Sequence, residues 1–83
     1  MARKKQMTEL EGLYKSDLDF LIKELTVGAY AYRNKKILRD TVIEGHEFAT
    51  VAEKYDISQT RAKTIVRKFC QSVKDYREKH SSN

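Results

Sequence analysis

The sequence predicts an all-α fold, a small bundle of four to five helices that contains a helix-turn-helix. Three observations favour it. The chain has no proline and only three glycines among 83 residues, and it is rich in Lys, Glu, Leu and Ala, which favour helices. Apolar residues recur at helical spacing along most of its length. Residues 48–67 have the pattern of a short amphipathic helix, a tight turn and a second amphipathic helix.

The length and composition indicate one domain with a single modest core. Residues 1–6 and 80–83 are expected to be disordered ends. No apolar run follows the basic N-terminus as in a secretory signal, and none is long enough to span a bilayer. The single cysteine, Cys70, cannot form an internal disulfide, and a buried reduced thiol fits the cytoplasm. We therefore expect a cytoplasmic protein.

Residues 8–14 predict a short first helix. Thr8 and Glu11 have the spacing of a capping box, in which each side chain bonds a free backbone N–H of the first turn. The apolar positions of this helix are Leu10, Leu13 and Tyr14. Gly12 weakens the helix, because glycine loses more backbone freedom on folding than other residues.

Residues 16–25 predict a second, stronger helix, with Ser16 as its N-cap. Asp17 and Asp19 lie near the positive end of its helix dipole. Its apolar stripe consists of Leu18, Leu21, Ile22 and Leu25. Phe20 lies off the stripe and is expected to cover a second surface. One continuous kinked helix over residues 8–25 is the alternative.

Gly28 predicts a turn, and a third helix is expected from about residue 29 to residue 44. Gly45 follows it, as glycine often does after a final helical turn. The residues with helical apolar spacing are Tyr30, Ile37, Leu38, Thr41 and Val42. The remaining positions of this helix are basic and polar.

The first helix of the predicted helix-turn-helix buries Val51, Ala52 and Tyr55. Ala52 is small at the point where the second helix must pass close by. Asp56 opens the turn, because a short Asx side chain tolerates backbone angles that most residues avoid. Ile57 then anchors the turn in the core, and Ser58 caps the second helix.

The second helix of the motif begins at Gln59 and is expected to be long, because no glycine or proline interrupts residues 59–80. Its inward residues are Ala62, Ile65, Val66 and Phe69. The apolar face continues through Phe69, Val73 and Tyr76, and these three must pack on the N-terminal helices or on a second subunit.

The charge pattern predicts a DNA-binding surface. A net charge of +5 favours a polyanionic partner, and bases cluster on the second motif helix, the one that enters the DNA major groove in a helix-turn-helix. The side chains expected to contact bases are Ser58, Gln59, Thr60, Lys63, Thr64 and Arg67. Those expected to contact the DNA backbone are Lys35, Lys36, His46, Thr50, Arg61 and Lys68. An ordinary αα-hairpin with a solvated basic face is the alternative.

One small domain contacts too few bases to select a genomic site, so we expect a homodimer on an inverted repeat. Its half-sites would lie about one helical turn apart. No cofactor, metal or small-molecule substrate is expected.

The segment from residue 25 to residue 73 resembles the TrfB/KorA family of plasmid-borne repressors. The shared features are LTVG at 25–28, EG at 44–45, FAT at 48–50 and a long helix after the IS cap at 57–58. ISQTRAKTIVRKF is also similar to the last helix-turn-helix of sigma factors. The resemblance implies a homodimeric repressor of plasmid maintenance or transfer operons. It also implies that Gln59 and Thr60 hold the place of the operator-reading side chain, and Asp56 stands where the family usually has glycine.

The sequence therefore favours a sequence-specific transcriptional regulator, and a repressor because no activation domain is evident. The alternative is a helical adaptor, such as an anti-sigma or phage host-modifying factor, that binds an acidic protein through apolar anchors. Its candidate anchors are Phe20, Tyr32 and Tyr76. We do not expect an enzyme, because the sequence shows no catalytic triad pattern, metal-ligand cluster or Gly-rich phosphate loop.

Overall fold

A computed structural model describes residues 10–81, and these residues form a small all-α bundle, as predicted. The helices are α1 (Lys15–Leu25), α2 (Ala31–Leu38), α3 (Phe48–Tyr55) and α4 (Gln59–Ser81). A π-helical turn, Arg39–Ile43, continues α2. No strand occurs within residues 10–81, and no helix among them has the length and apolar character needed to cross a membrane.

The core lies where the apolar faces of the four helices meet, and α4 packs against each of the other three. The largest fully buried side chains are Ile22, Ile37, Leu38, Val51 and Val73. They come from all four helices, so the apolar area that stabilises the bundle is shared rather than concentrated in one hairpin. The predicted stripe of α1 is confirmed by the burial of Leu18, Leu21 and Ile22.

The predicted helix over residues 8–14 is wrong for its described part. Gly12 has φ +85°, a left-handed backbone angle that reverses the chain, and the Leu13 N–H donates to the Leu10 carbonyl at 3.3 Å in a turn. Arg77 of α4 donates to the Glu11 carbonyl at 2.9 Å and holds this turn against the far end of the bundle. Leu10 is buried, whereas Tyr14 is 77% exposed and not apolar core. Thr8 lies outside the described residues.

Helix α1 begins at Lys15, which corrects the prediction that Ser16 is its cap. Tyr14 is the N-cap residue, and its backbone N–H donates to Asp17 Oδ2 at 3.0 Å. The Asp17 side chain, at the third helical position, therefore satisfies the backbone N–H of the N-cap residue. Ser16 lies inside the first turn of the helix. Asp19 bonds the guanidinium of Arg39 and ties α1 to the π-helical turn.

Helix α2 begins two residues later than predicted. Tyr30 is its N-cap residue and is 64% exposed, so Tyr30 is not one of the inward positions. The last part of the expected helix widens into the π-helical turn, where the Glu44 N–H donates to the Arg39 carbonyl at 2.9 Å. The buried Thr41 hydroxyl donates to the Ile37 carbonyl at 2.9 Å, so this buried polar side chain has a hydrogen-bond partner. Gly45 ends the helix at φ +79°, as predicted.

The turn between α3 and α4 has the predicted geometry. Asp56 adopts the left-handed conformation (φ 57°, ψ 49°), and the Ile57 N–H donates to the Ala52 carbonyl at 2.9 Å. This six-to-one bond is typical of a Schellman motif, which satisfies the last carbonyls of a helix. Half-buried Ile57 packs against the core. Ser58 Oγ accepts the Arg61 backbone N–H at 3.0 Å, which confirms the N-cap of α4.

The backbone of α4 continues without a break to Ser81, close to the predicted end. It includes His80, where the sequence predicted the start of a disordered tail. The predicted disordered residues 1–6, Ser82 and Asn83 lie outside the described residues.

Candidate nucleic-acid interface

The first half of α4 presents one polar arc to solvent. Its opposite face is fixed in the core by Ala62, Ile65, Val66 and Phe69, all buried. The predicted base-contacting side chains Ser58, Gln59, Thr60, Lys63 and Arg67 are exposed, and Thr64 is half-buried. We call these six residues the polar arc. Helical periodicity alone places them together, because residues three and four apart share a face.

The polar arc lies in a stretch without acidic side chains. Between Asp56 and Asp75 the charged residues are Arg61, Lys63, Arg67, Lys68 and Lys74. In the described part of the chain, the ion pairs join Asp19 to Lys23 and Arg39, and Asp40 to Lys54. None of these three pairs involves a base in the first half of α4. The first half of α4 therefore carries positive charge that a polyanion can approach.

One edge of the polar arc is held against α3. The Lys63 ammonium lies 5.9 Å from the centre of the Phe48 ring, within reach of a cation–π contact. Phe48 is the first residue of α3, and the predicted backbone contacts His46 and Thr50 are exposed on either side of it. The start of α3 and the Lys63 edge of the arc thus form one surface.

The other edge of the arc faces the loop between α1 and α2. Arg61, Thr64 and Lys68 line a groove there, and Tyr30 and Asn34 line its opposite wall. The structure therefore brings together the predicted backbone contacts Arg61 and Lys68. It also shows that the predicted base contact Thr64 lies at the boundary between the arc and this groove.

The predicted backbone contacts Lys35 and Lys36 lie on α2. Lys35 is half-buried, and the exposed Lys36 ammonium lies 4.4 Å from the centre of the Tyr32 ring on its own helix. A contact of this kind on one helix holds the cation near its neighbour and does not direct it to the polar arc.

A polar cluster fixes the position of α3. Tyr55 and Lys54 donate to the same Asp40 carboxylate oxygen at 2.8 and 3.0 Å, respectively. Burial of Asp40, whose side chain is 15% exposed, would raise its pKa, but the bonds from Tyr55 and Lys54 outweigh burial and lower the pKa below its ordinary value. Burial and the bond to Asp40 raise the pKa of Tyr55, and the same carboxylate raises that of Lys54. The cluster joins the π-helical turn to the helix that supports the arc.

Sequence reasoning missed Arg33, Tyr30 and Asn34 at the groove. Tyr30 and Asn34 line the groove, and the Arg33 guanidinium contacts both of these residues. A signal was present, because residues 25–39 contain four bases, Arg33, Lys35, Lys36 and Arg39, and no acidic residue. The pattern could not show that this stretch faces α4, since that depends on tertiary packing.

The three residues predicted to serve in dimerisation or packing face the core of their own chain. Phe69 and Val73 are 4% and 0% exposed, and Tyr76 is half-buried against the same cluster. Among the described residues, no group of three or more His, Cys, Asp or Glu side chains is arranged to hold a metal ion. Comparison of the chain with protein-family models, with curated proteins and with solved structures gives no match.

Proposed function

We propose that the protein is a sequence-specific transcriptional regulator that binds double-stranded DNA through the major groove. The α3–turn–α4 unit would act as a helix-turn-helix, with α4 as the recognition helix. Lys63 and Arg67 would bond guanine, and Gln59 would bond adenine. The function is proposed to be repression by a cytoplasmic homodimer on an inverted repeat, as in the plasmid repressors that the sequence resembles.

The observation that carries the proposal is the polar arc itself. A rigid helix, capped at Ser58 and buried along its opposite face, presents amide, hydroxyl and cationic side chains in the acid-free first half of α4. These are the side-chain types that read base edges and phosphates. A helix face that is merely solvated usually carries both acidic and basic residues, because opposite charges four residues apart stabilise the helix.

A helical adaptor for an acidic protein is the second candidate, and two exposed apolar rings favour it. Phe20 is 51% exposed on α1 and Tyr32 is 76% exposed on α2. Exposed aromatic side chains are common anchors of protein interfaces. An adaptor would depend on Phe20 and Tyr32 and would show a shallow salt dependence. A DNA-binding protein would lose affinity steeply as salt rises.

Selection of bound sequences from random double-stranded DNA tests the proposal. We expect enrichment of an inverted repeat with half-sites about 10 base pairs apart, the spacing that a two-fold dimer requires. Failure to enrich any sequence, together with tight binding of an acidic protein that Phe20→Ala abolishes, would favour the adaptor.

The variant Lys63→Ala/Arg67→Ala tests the assigned surface. Each good base contact contributes about 1–3 kcal/mol of discrimination, so we expect the preference for the selected site over unrelated DNA to fall at least about tenfold. The measurement is fluorescence anisotropy on both DNA molecules. Lys15→Ala/Lys23→Ala is the matched control, since it removes the same charge from exposed positions of α1. A folded Lys63→Ala/Arg67→Ala variant that keeps the wild-type preference would contradict the assignment.

A further inference from the structure

A groove of about 370 Å³ lies between α4 and the chain segment that leads into α2. Its apolar lining includes Ile65 and Phe69, and its walls carry Tyr30 and Asn34 on one side and Arg61 and Lys68 on the other. The groove adjoins the polar arc, because Thr64 belongs to both. It is therefore a continuation of the proposed DNA-binding surface on the side away from α3.

Both walls of the groove come from segments without acids. Residues from 25 to 38 line one wall, and residues from 61 to 72 line the other. The fold thus joins two acid-free segments that are distant in sequence. Because Arg61 and Lys68 line the groove and no carboxylate is among its lining residues, the groove favours anions.

A third cation is held at the rim. The Arg33 guanidinium lies 5.0 Å from the centre of the Tyr30 ring and donates to Asn34 Oδ1 at 3.3 Å. Tyr30 and Asn34 both line the groove, so these contacts keep the guanidinium beside it. Arg33 Nε also donates to Asn34 Oδ1, at 3.4 Å, so these contacts engage two of the five N–H donors of the guanidinium and leave the others for an anion.

We propose that this groove binds the sugar–phosphate backbone of the DNA strand that borders the major groove occupied by α4, an inference that rests on the proposed function. Arg61 and Lys68 are seven residues apart and hence about 10 Å apart along α4. That span covers several consecutive phosphates of a DNA strand, which carries a charge about every 3.4 Å along the helix axis. Arg33 then contacts phosphate from the opposite wall, and the Tyr30 ring packs against sugar.

The experiment measures binding of the selected duplex and of an unrelated duplex over a range of salt concentrations. Arg33→Ala is compared with Lys15→Ala, which removes one exposed charge from α1. We expect Arg33→Ala to weaken binding of both duplexes by the same factor and to reduce the slope of log affinity against log salt by about 1. Lys15→Ala leaves the slope unchanged, and thermal melting establishes that both variants are folded.

The possible results separate this inference from the proposed function. If the wild-type protein binds duplex DNA and Arg33→Ala behaves like Lys15→Ala, the groove assignment is overturned while the proposed function stands. If Arg33→Ala weakens binding without changing the slope, Arg33 does not contact phosphate and the assignment is again overturned. If the wild-type protein binds no duplex DNA, the proposed function fails, and with it this inference. Binding of inorganic pyrophosphate that Arg33→Ala abolishes, with DNA affinity unchanged, would instead identify a small-anion site.

Discussion

Asp56 is the residue on which the angle between α3 and α4 depends. It is the only non-glycine residue with positive φ among residues 10–81. A left-handed conformation costs an ordinary L-residue about 1–2 kcal/mol, and Asp less, because its short side chain bonds locally. The carbonyl of Ala52, a buried residue of α3, accepts the six-to-one bond of this turn. The turn therefore sets the direction in which α4 presents its polar arc.

Replacing Asp56 separates backbone strain from side-chain chemistry. We expect Asp56→Ala to lower the free energy of unfolding by about 1 kcal/mol, because alanine tolerates the left-handed conformation less well than Asp. Asp56→Gly should lie within about 0.5 kcal/mol of wild type, since glycine relieves the strain but loses more entropy on folding. Urea unfolding of the two variants measures the difference. Equal stabilities of the alanine and glycine variants would show that φ at this position is not the determining factor.

The junction between the π-helical turn and α3 is held by ionisable groups, so its contribution to stability depends on pH. The pKa of Asp40 is lowered from about 3.8 in the folded chain, so Asp40 stabilises the fold above that value and loses its effect as pH falls through the lowered pKa. The pKa values of Tyr55 and Lys54 are raised from about 10.0 and 10.5. Their contribution is present below those values and is lost as pH rises through the raised ones.

Asp40→Asn tests this junction. The variant loses the ion pair with Lys54 but can still accept a bond from Tyr55. We expect a loss of about 1 kcal/mol at pH 7, a figure reduced for the solvent exposure of Lys54. The gap from wild type should close as pH falls below about 3.8. Asp75→Asn is the control, since that exposed carboxylate bonds only Gln71 among the described contacts. A gap that stays constant from pH 7 to pH 3 would exclude an electrostatic origin.

The long elements could be predicted from sequence, because apolar periodicity directly reports the face that a helix buries. The stripe of α1 follows from it, whereas the turn at Asp56 and the cap at Ser58 follow from the local preferences of Asp and Ser, and the length of α4 from the absence of Gly and Pro. The start of α1 could not be predicted, since Ser16 and Asp17 both carry capping side chains. In the structure the Asp17 carboxylate accepts the Tyr14 N–H, so the helix begins at Lys15, one residue before Ser16.

The π-helical turn and the groove depend on tertiary structure, which the sequence pattern does not encode locally. Thr41 has the spacing of a helical core residue, and the widening of the helix there is shown only by the backbone bond from the Glu44 N–H to the Arg39 carbonyl. The polar arc, in contrast, lies on one helix, so spacing alone identified its residues. The Arg33 side of the candidate site combines residues about 30 positions apart in the sequence, and no local pattern predicts such a pairing.

At the scale of the whole molecule, the bundle is thin. Its principal extents are 42 × 34 × 20 Å, and the short one is about twice the diameter of a helix with its side chains. The helices share one core, and α4 packs against each of the other three. Val73, on the distal half of α4, belongs to this core and is fully buried within its own chain.

Val73→Ala should therefore reduce stability without altering assembly. We expect a loss of about 2–3 kcal/mol in the free energy of unfolding, because a cavity replaces buried methyl groups. Lys74→Ala, at the neighbouring exposed position, should stay within about 0.5 kcal/mol of wild type. Urea unfolding measures stability and sedimentation velocity measures assembly. A shift from dimer to monomer in Val73→Ala, with stability unchanged, would place this side chain at a subunit interface instead.

The buried thiol of Cys70 can report how often the core around α4 opens. Cys70 is the only cysteine in the sequence and is 4% exposed on the inner face of α4. A thiol reagent reaches this buried sulfur when the core around α4 opens, so the labelling rate of the native protein follows how often that opening occurs. Opening of the core around α4 can thus be timed on the unaltered chain through its own thiol, with no engineered cysteine.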